Sequence, residues 1–262
     1  MRFLTLLVTA LFLTAAISES SFANGIDDKC PQLTYKTAPV VKADLYICHK
    51  MYAIAYSYAA KNPIYTTEFL TANHTGDSDR PNDFRVDPAV PKQYQSKPSD
   101  YEKAGTSCGP VAGSKRTSSC DQGHMTPDQD FSNDITATKE SFFMSNMVPQ
   151  NFKNNEVIWK SMEVKFRKYV ATHPAGIYVI TGPVYKTASP TKLGADQVWI
   201  PDALFKIAID AQTGQSIAFY MPNAPETELS TFVVNLATIE LVTGIKFDDS
   251  LNKFSIAKFN AW

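Results

Sequence analysis

One histidine, one amide and one carboxylate have the types and spacing to do chemistry together. His124 follows Gly123 in the run Asp121-Gln122-Gly123-His124-Met125-Thr126-Pro127; Asn155 and Glu163 lie downstream, on either side of Trp159. An imidazole titrates near neutrality, so His124 suits a general base that takes a proton from water. Gly123 permits a backbone approach that a side chain would block. At about 100° per residue, Asn155 and Glu163 fall on broadly the same side of a helix. An amide oxygen and a carboxylate are hard ligands. They suit Mg²⁺, which keeps several waters, better than Zn²⁺, and Mn²⁺ suits the same ligands.

These side chains need elements to hold them. Asn154 is a candidate N-cap, and Glu156 would then sit in the first turn, where its charge suits the helix dipole. Val157, Ile158, Met162, Phe166, Tyr169 and Val170 recur near helical spacing until Pro174 and Gly176 end the run. Tyr52, Ile54, Tyr56 and Tyr58 alternate, which predicts a half-buried strand with residues 66–70 as its hairpin partner. Residues 177–181, 198–200, 205–209 and 216–220 form further strands, and a helix is expected over 225–243. Pro, Gly, Asp and Asn make residues 73–91 and 96–116 mainly loop. The expectation is an α+β domain with a mainly antiparallel central sheet and packed helices.

Composition narrows the classes. A 44% hydrophobic content supports a globular chain, and a net charge of −1 argues against affinity resting on a large basic field. Arg2 followed by an apolar run and the small residues Ser21 and Ala23 around Phe22 predicts a signal peptide over 1–23, with a single domain over 24–262. That implies a secreted or periplasmic protein without stable membrane association. The four cysteines then favour two disulfides, with proximity suggesting Cys30–Cys48 and Cys108–Cys120. No Cys-x-x-Cys pair supports zinc, and no Gly-x-Ser-x-Gly elbow supports a serine hydrolase. Oligomeric state is not legible.

Several segments share one resemblance. Asp121 to Pro127 resembles the Asp-Arg-Gly-His motif of the DNA/RNA non-specific endonucleases, whose site is of the ββα-metal type. Ser145-Asn146-Met147-Val148-Pro149-Gln150 is similar to the family's Ser-Asn-x-x-Pro-Gln segment. Asn155, Trp159 and Glu163 match its Asn-x-x-x-Trp-x-x-x-Glu helix, and Thr181-Gly182-Pro183 its Thr-Gly-Pro strand. Phe205-Lys206, Ala218-Phe219 and Pro222-Asn223 fit later strands, so the resemblance runs over about residues 51–223.

The resemblance implies roles. His124 would activate water for attack on phosphorus. Asn155 would be the direct protein ligand of Mg²⁺, and Glu163 would hold waters around the ion. Asn146 would hydrogen-bond near the site and fix the His124 strand. Substrates would be DNA and RNA, products would carry 5′ phosphates, and sequence preference would be weak because contacts go to phosphate.

One position departs from the family pattern. Gln122 stands where arginine is usual, and glutamine lacks the charge with which arginine grips phosphate. Arg80 is a candidate for the second family arginine, with Arg85 nearby. An apparent insertion over 103–119 carries Lys115 and Arg116, either of which would supply the missing charge. The alternative is a weakened nuclease fold that binds nucleic acid without turnover.

Overall fold

The computed structural model describes residues 25–76, 79–111, 113–248 and 251. The stretch 1–23 lies outside the described residues. A seven-stranded, wholly antiparallel sheet forms the centre, in the order β1 (Leu45–Cys48), β2 (Tyr52–Ser57), β3 (Asn62–Leu70), β6 (Ile177–Val184), β9 (Ala203–Asp210), β10 (Ser216–Pro222) and β11 (Val233–Val234). Two further strands, β4 (Cys120–His124) and β5 (Met147–Asn151), pair with each other outside that sheet. A short ribbon of β7 (Lys192–Leu193) and β8 (Val198–Trp199) lies apart. The helices are α1 (Gly25–Lys29), α2 (Ile135–Ser141), α3 (Lys160–Val170) and α4 (Leu236–Thr243).

Strand alternation sorts the sheet into two faces. Phe205, Ile207 and Ile209 of β9 join a core with Ile26, Leu33, Ala53, Ala55, Leu236 and Ile239. Leu204 and Ala208 face the other way, with Val179, Ile217 and Phe219, against Ile158, Trp159, Met162, Phe166 and Val170. Each fully buried Val, Leu, Ile, Phe or Met among them contributes about 1.5–3 kcal/mol. The second face also receives Lys206, which is 1% exposed. Among the described residues no helix is long and apolar enough to cross a membrane.

Four expectations are corrected. β2 is buried on both faces, because Tyr52, Ile54 and Tyr56 pack against Val90, Phe131 and Ala137 while Ala53 and Ala55 enter the opposite core. The helix expected over 225–243 is confined to α4, since Val233 and Val234 add an edge strand to β10. Asn154 is not an N-cap. Asn151 Oδ1 instead accepts from Lys153 N at 3.0 Å and Asn154 N at 3.2 Å, while buried Asn154 donates to the Pro222 and Ala224 carbonyls. Of the two expected disulfides only Cys108–Cys120 is formed. Cys30 and Cys48 are free thiols, one buried and one exposed, with Cys48 Sγ donating to the Lys29 carbonyl at 3.7 Å.

Candidate active site

β4, β5 and α3 form a ββα unit. β4 places Gly123 opposite Val148 and His124 opposite Met147. A Cβ at position 123 would collide with the Gln150 side chain, so glycine is required there for packing. Gln150 is in turn held by a 2.7 Å bond to Asn154 Oδ1. Beyond His124 the chain is pinned by Asn146, which is fully buried. Its Nδ2 donates to the Thr126 and Ser141 carbonyls at 2.8 Å each, and its Oδ1 accepts from Thr126 N at 3.0 Å. Asn146 therefore supports the His124 strand and does not line the cavity.

A π-helical turn, Asn154–Trp159, leads into α3. Its wider winding alters the regular-helix angle between Asn155 and Glu163, and such turns often mark functional sites. Both side chains nonetheless reach one cavity of about 570 Å³, which His124, Gln122, Arg80 and Arg167 also line.

His124 is 7% exposed and packs edge-on to Phe142 at 4.8 Å, with Phe84 at 5.4 Å. Burial pushes its pKa down to about 4; Asp128 opposes this and Arg80 adds to it. The ring is therefore neutral at physiological pH. It hydrogen-bonds the Gln122 backbone carbonyl, while buried Nε2 has no partner among the described residues. A neutral imidazole that donates from one nitrogen keeps the other as an acceptor.

Asn155 Nδ2 donates to Asp121 Oδ2 at 2.9 Å, which leaves Oδ1 as the free end of the amide. Burial raises the Asp121 carboxyl, while Asn155 and Arg116 oppose that shift. Burial also pushes Glu163 up to about 7; Lys206 opposes this and Asp130 reinforces it. Lys206 Nζ lies 3.7 Å from Glu163 Oε1 and donates to the Met125 carbonyl at 3.2 Å, so it bridges the histidine strand and α3. Fully buried Glu68, in the same layer, is held well above the usual carboxylate range by desolvation.

Among the described residues no group of three or more His, Cys, Asp or Glu could cage a metal. A free amide oxygen and a nearby carboxylate fit a hard cation that keeps most of its waters. Orphaned Nε2 fits a water docked beside it.

The expected site residues thus separate into two places. His124, Asn155, Glu163, Gln122 and Arg80 meet in the main cavity, where Arg80 also pairs with Asp128 at 2.8 Å. Arg85 instead pairs with Asp83 and stacks on Phe143. Arg116 lines a neighbouring depression with Asp121 and Gln122, and exposed Lys115 lines neither. Sequence reasoning missed Arg167, which lines the cavity and pairs with Asp130 at 2.6 Å. The available signal was its position four residues after Glu163 on one helix face. Asp121 and Lys206 stood within quoted motifs without a role.

The chain is similar to several nucleases. It is 28% identical over 221 residues to "Nuclease EXOG, mitochondrial" of Danio rerio, covering 77% of this chain and 60% of that protein. It is 27% identical to human "Endonuclease G, mitochondrial", covering 75% of this chain and 67% of that protein. It is 30% identical to "Nuclease C1" of Cunninghamella echinulata var. echinulata, covering 77% and 81%. The chain spans about 60% of the length of the EXOG relatives it matches. A chain in the crystal structure of the EndoG/EndoGI complex shares the fold, with TM-score 0.73, 24% identity, and coverage of 85% of this chain and 92% of that one.

These names correct the expectation of a secreted or periplasmic protein, because the EXOG and endonuclease G relatives are mitochondrial. An apolar run led by a single arginine does not fix a compartment. The DNA/RNA non-specific endonuclease family model matches residues 31–254. With the ββα unit and the motif residues gathered at one cavity, the chain belongs to the DNA/RNA non-specific endonuclease family.

Proposed function

We propose that this protein is a divalent-cation-dependent endonuclease that hydrolyses phosphodiester bonds in DNA and RNA and leaves 5′ phosphates. The observation that supports it most is unpartnered Nε2 of His124, buried at a cavity that Asn155 and Glu163 also line. Leaving a buried acceptor unmade costs about 1–3 kcal/mol, a cost that a reacting water would remove.

In this reading Nε2 takes a proton from water as the water oxygen attacks phosphorus. The bond from phosphorus to the 3′ oxygen breaks, and that oxygen leaves and gains a proton from solvent. Asn155 Oδ1 would hold the cation, and Glu163 would hold its waters. Mg²⁺ or Mn²⁺ bound there supplies Lewis-acid stabilisation of charge on the phosphate and leaving oxygen. Arg80 and Arg167 place fixed positive charge along the cavity, and Gln122 adds a neutral donor. Contacts of this kind address phosphate, so both sugars and all bases are accepted.

The test is product-end analysis on plasmid DNA and RNA with Mg²⁺ or chelator. Fragments should accept a 5′ label from polynucleotide kinase only after phosphatase treatment. Fragments labelled without phosphatase would overturn the assigned direction of cleavage. Gln122 favours one second reading, a fold that binds nucleic acid without turnover. Retained binding with no cleavage of either polymer would select it.

A further inference from the structure

We infer that the disulfide-closed loop of residues 108–120 positions the cation-binding amide through a relay, Arg116 to Asp121 to Asn155, with Arg116 a positioning residue. The inference rests on the reading of Asn155 as the cation's ligand.

The relay begins in a firmly anchored loop. Cys108 and Cys120 are bonded across 12 positions, so the segment carrying Arg116 is closed at its base. The base is tied down further. Cys108 N donates to Ser119 Oγ at 2.9 Å, Asn151 Nδ2 donates to the Cys108 carbonyl at 2.7 Å, and Phe152 N donates to the Ser119 carbonyl at 3.0 Å. Asn151 and Phe152 are the residues through which β5 enters the helix that carries Asn155. Loop and helix therefore share one foundation.

Arg116 spans the gap between them. Its guanidinium lies 4.8 Å over the Phe152 ring, donates to Glu156 Oε1 at 2.6 Å, and pairs with Asp121 Oδ1. The planar fork fits this role, since one group serves two carboxylates and an aromatic face. The Arg116–Glu156 contact by itself is a partly exposed pair of small worth. Asp121 differs, because its side chain is only 12% exposed and both of its oxygens are engaged.

The last link sets the chemistry. An asparagine amide has one oxygen end and one NH₂ end, and rotation by half a turn exchanges them. An ionised carboxylate only accepts, so Asp121 selects the NH₂ end and leaves Oδ1 free for a cation. Without Arg116, Asp121 would lose the partner that holds it against Asn155. The geometry favours this role over phosphate contact: the guanidinium is committed to two acids and lines the neighbouring depression instead of the His124 cavity.

The test is Mn²⁺ titration of the full-length protein, read by electron paramagnetic resonance without substrate. Asn155→Ala should abolish specific binding; unchanged binding there would overturn the ligand reading itself. Loss of an outer partner that orients a ligand typically weakens metal binding about 10–100-fold. Arg116→Ala should fall in that range, with partial recovery in Arg116→Lys. The Cys108→Ser, Cys120→Ser double variant frees the loop without touching the relay and should weaken binding in the same direction. If Asn155→Ala loses Mn²⁺ while the Arg116 and cysteine variants keep wild-type affinity, the relay is overturned. Unchanged Mn²⁺ affinity in Arg116→Ala, with a salt dependence of DNA binding reduced by about one ion, would make Arg116 a phosphate contact instead.

Discussion

The two faces of β9 are built on opposite principles, one residue apart. Phe205, Ile207 and Ile209 enter an aliphatic and aromatic core with α1 and α4. Lys206, between them, enters a layer where Glu68, Asp130, Glu163 and Arg167 are brought together beside the cavity. The first face is what the hydrophobic effect builds unaided. The second carries buried charges whose desolvation costs several kcal/mol each unless they are paired. Such a layer is weak evidence for stability, and its position beside the cavity that His124 lines is what ties it to chemistry.

The sharpest break of this contrast is His124→Ala. Loss of a general base should lower the cleavage rate by about 10²–10⁴-fold, measured in single turnover, with folding intact by circular dichroism. Lys206→Met should come next. Removing one partner of a buried charged group costs about 3–5 kcal/mol, and here it also frees the Met125 carbonyl, so both stability and rate should fall. Ile207→Ala on the apolar face should cost about 2–5 kcal/mol in denaturant unfolding while leaving kcat of the folded protein unchanged. If Ile207→Ala lowers kcat as much as Lys206→Met, the two faces are not functionally distinct.

Smaller effects sharpen the comparison. Opening Cys108–Cys120 should cost about 3 kcal/mol for a loop of this length, read from unfolding with and without reductant. For His124 the sign follows from its lowered pKa. The unfolded ring binds a proton below about 6.5, while the buried ring resists it until about 4. Folding therefore loses stability as pH falls through that window. His124→Asn should remove about 2 kcal/mol of the loss between pH 7 and 5. An identical pH dependence in both proteins would show that the ring is not held neutral by burial.

Much of the apolar architecture was legible because period and composition agree there. The strands around residues 177–181, 205–209 and 216–220 and the helix through Met162 and Phe166 follow directly from alternation and helical spacing. The edge strand at Val233 and Val234 was not, because two β-branched residues inside an apolar run carry no period of their own. The π-helical turn was also hidden, as were the bonds that tie Asn151 and Asn154 beside it to the distant carbonyls of Cys108, Pro222 and Ala224. The motif resemblance, more than type and spacing alone, singled out His124, Asn155 and Glu163, and the fold brings all three to one cavity. Arg116 was legible only as a charge. Its commitment to Asp121 and Glu156 arises from the folded loop, which brings residue 156 beside residue 116.

The most direct test of the central claim is single-turnover cleavage of a DNA duplex and an RNA strand by wild type and His124→Ala, each with Mg²⁺ and with chelator. The expected result is cleavage of both polymers by wild type with Mg²⁺ only, and a loss of at least about a hundredfold in His124→Ala. Cleavage that survives the chelator, or that proceeds at the wild-type rate without His124, would contradict it.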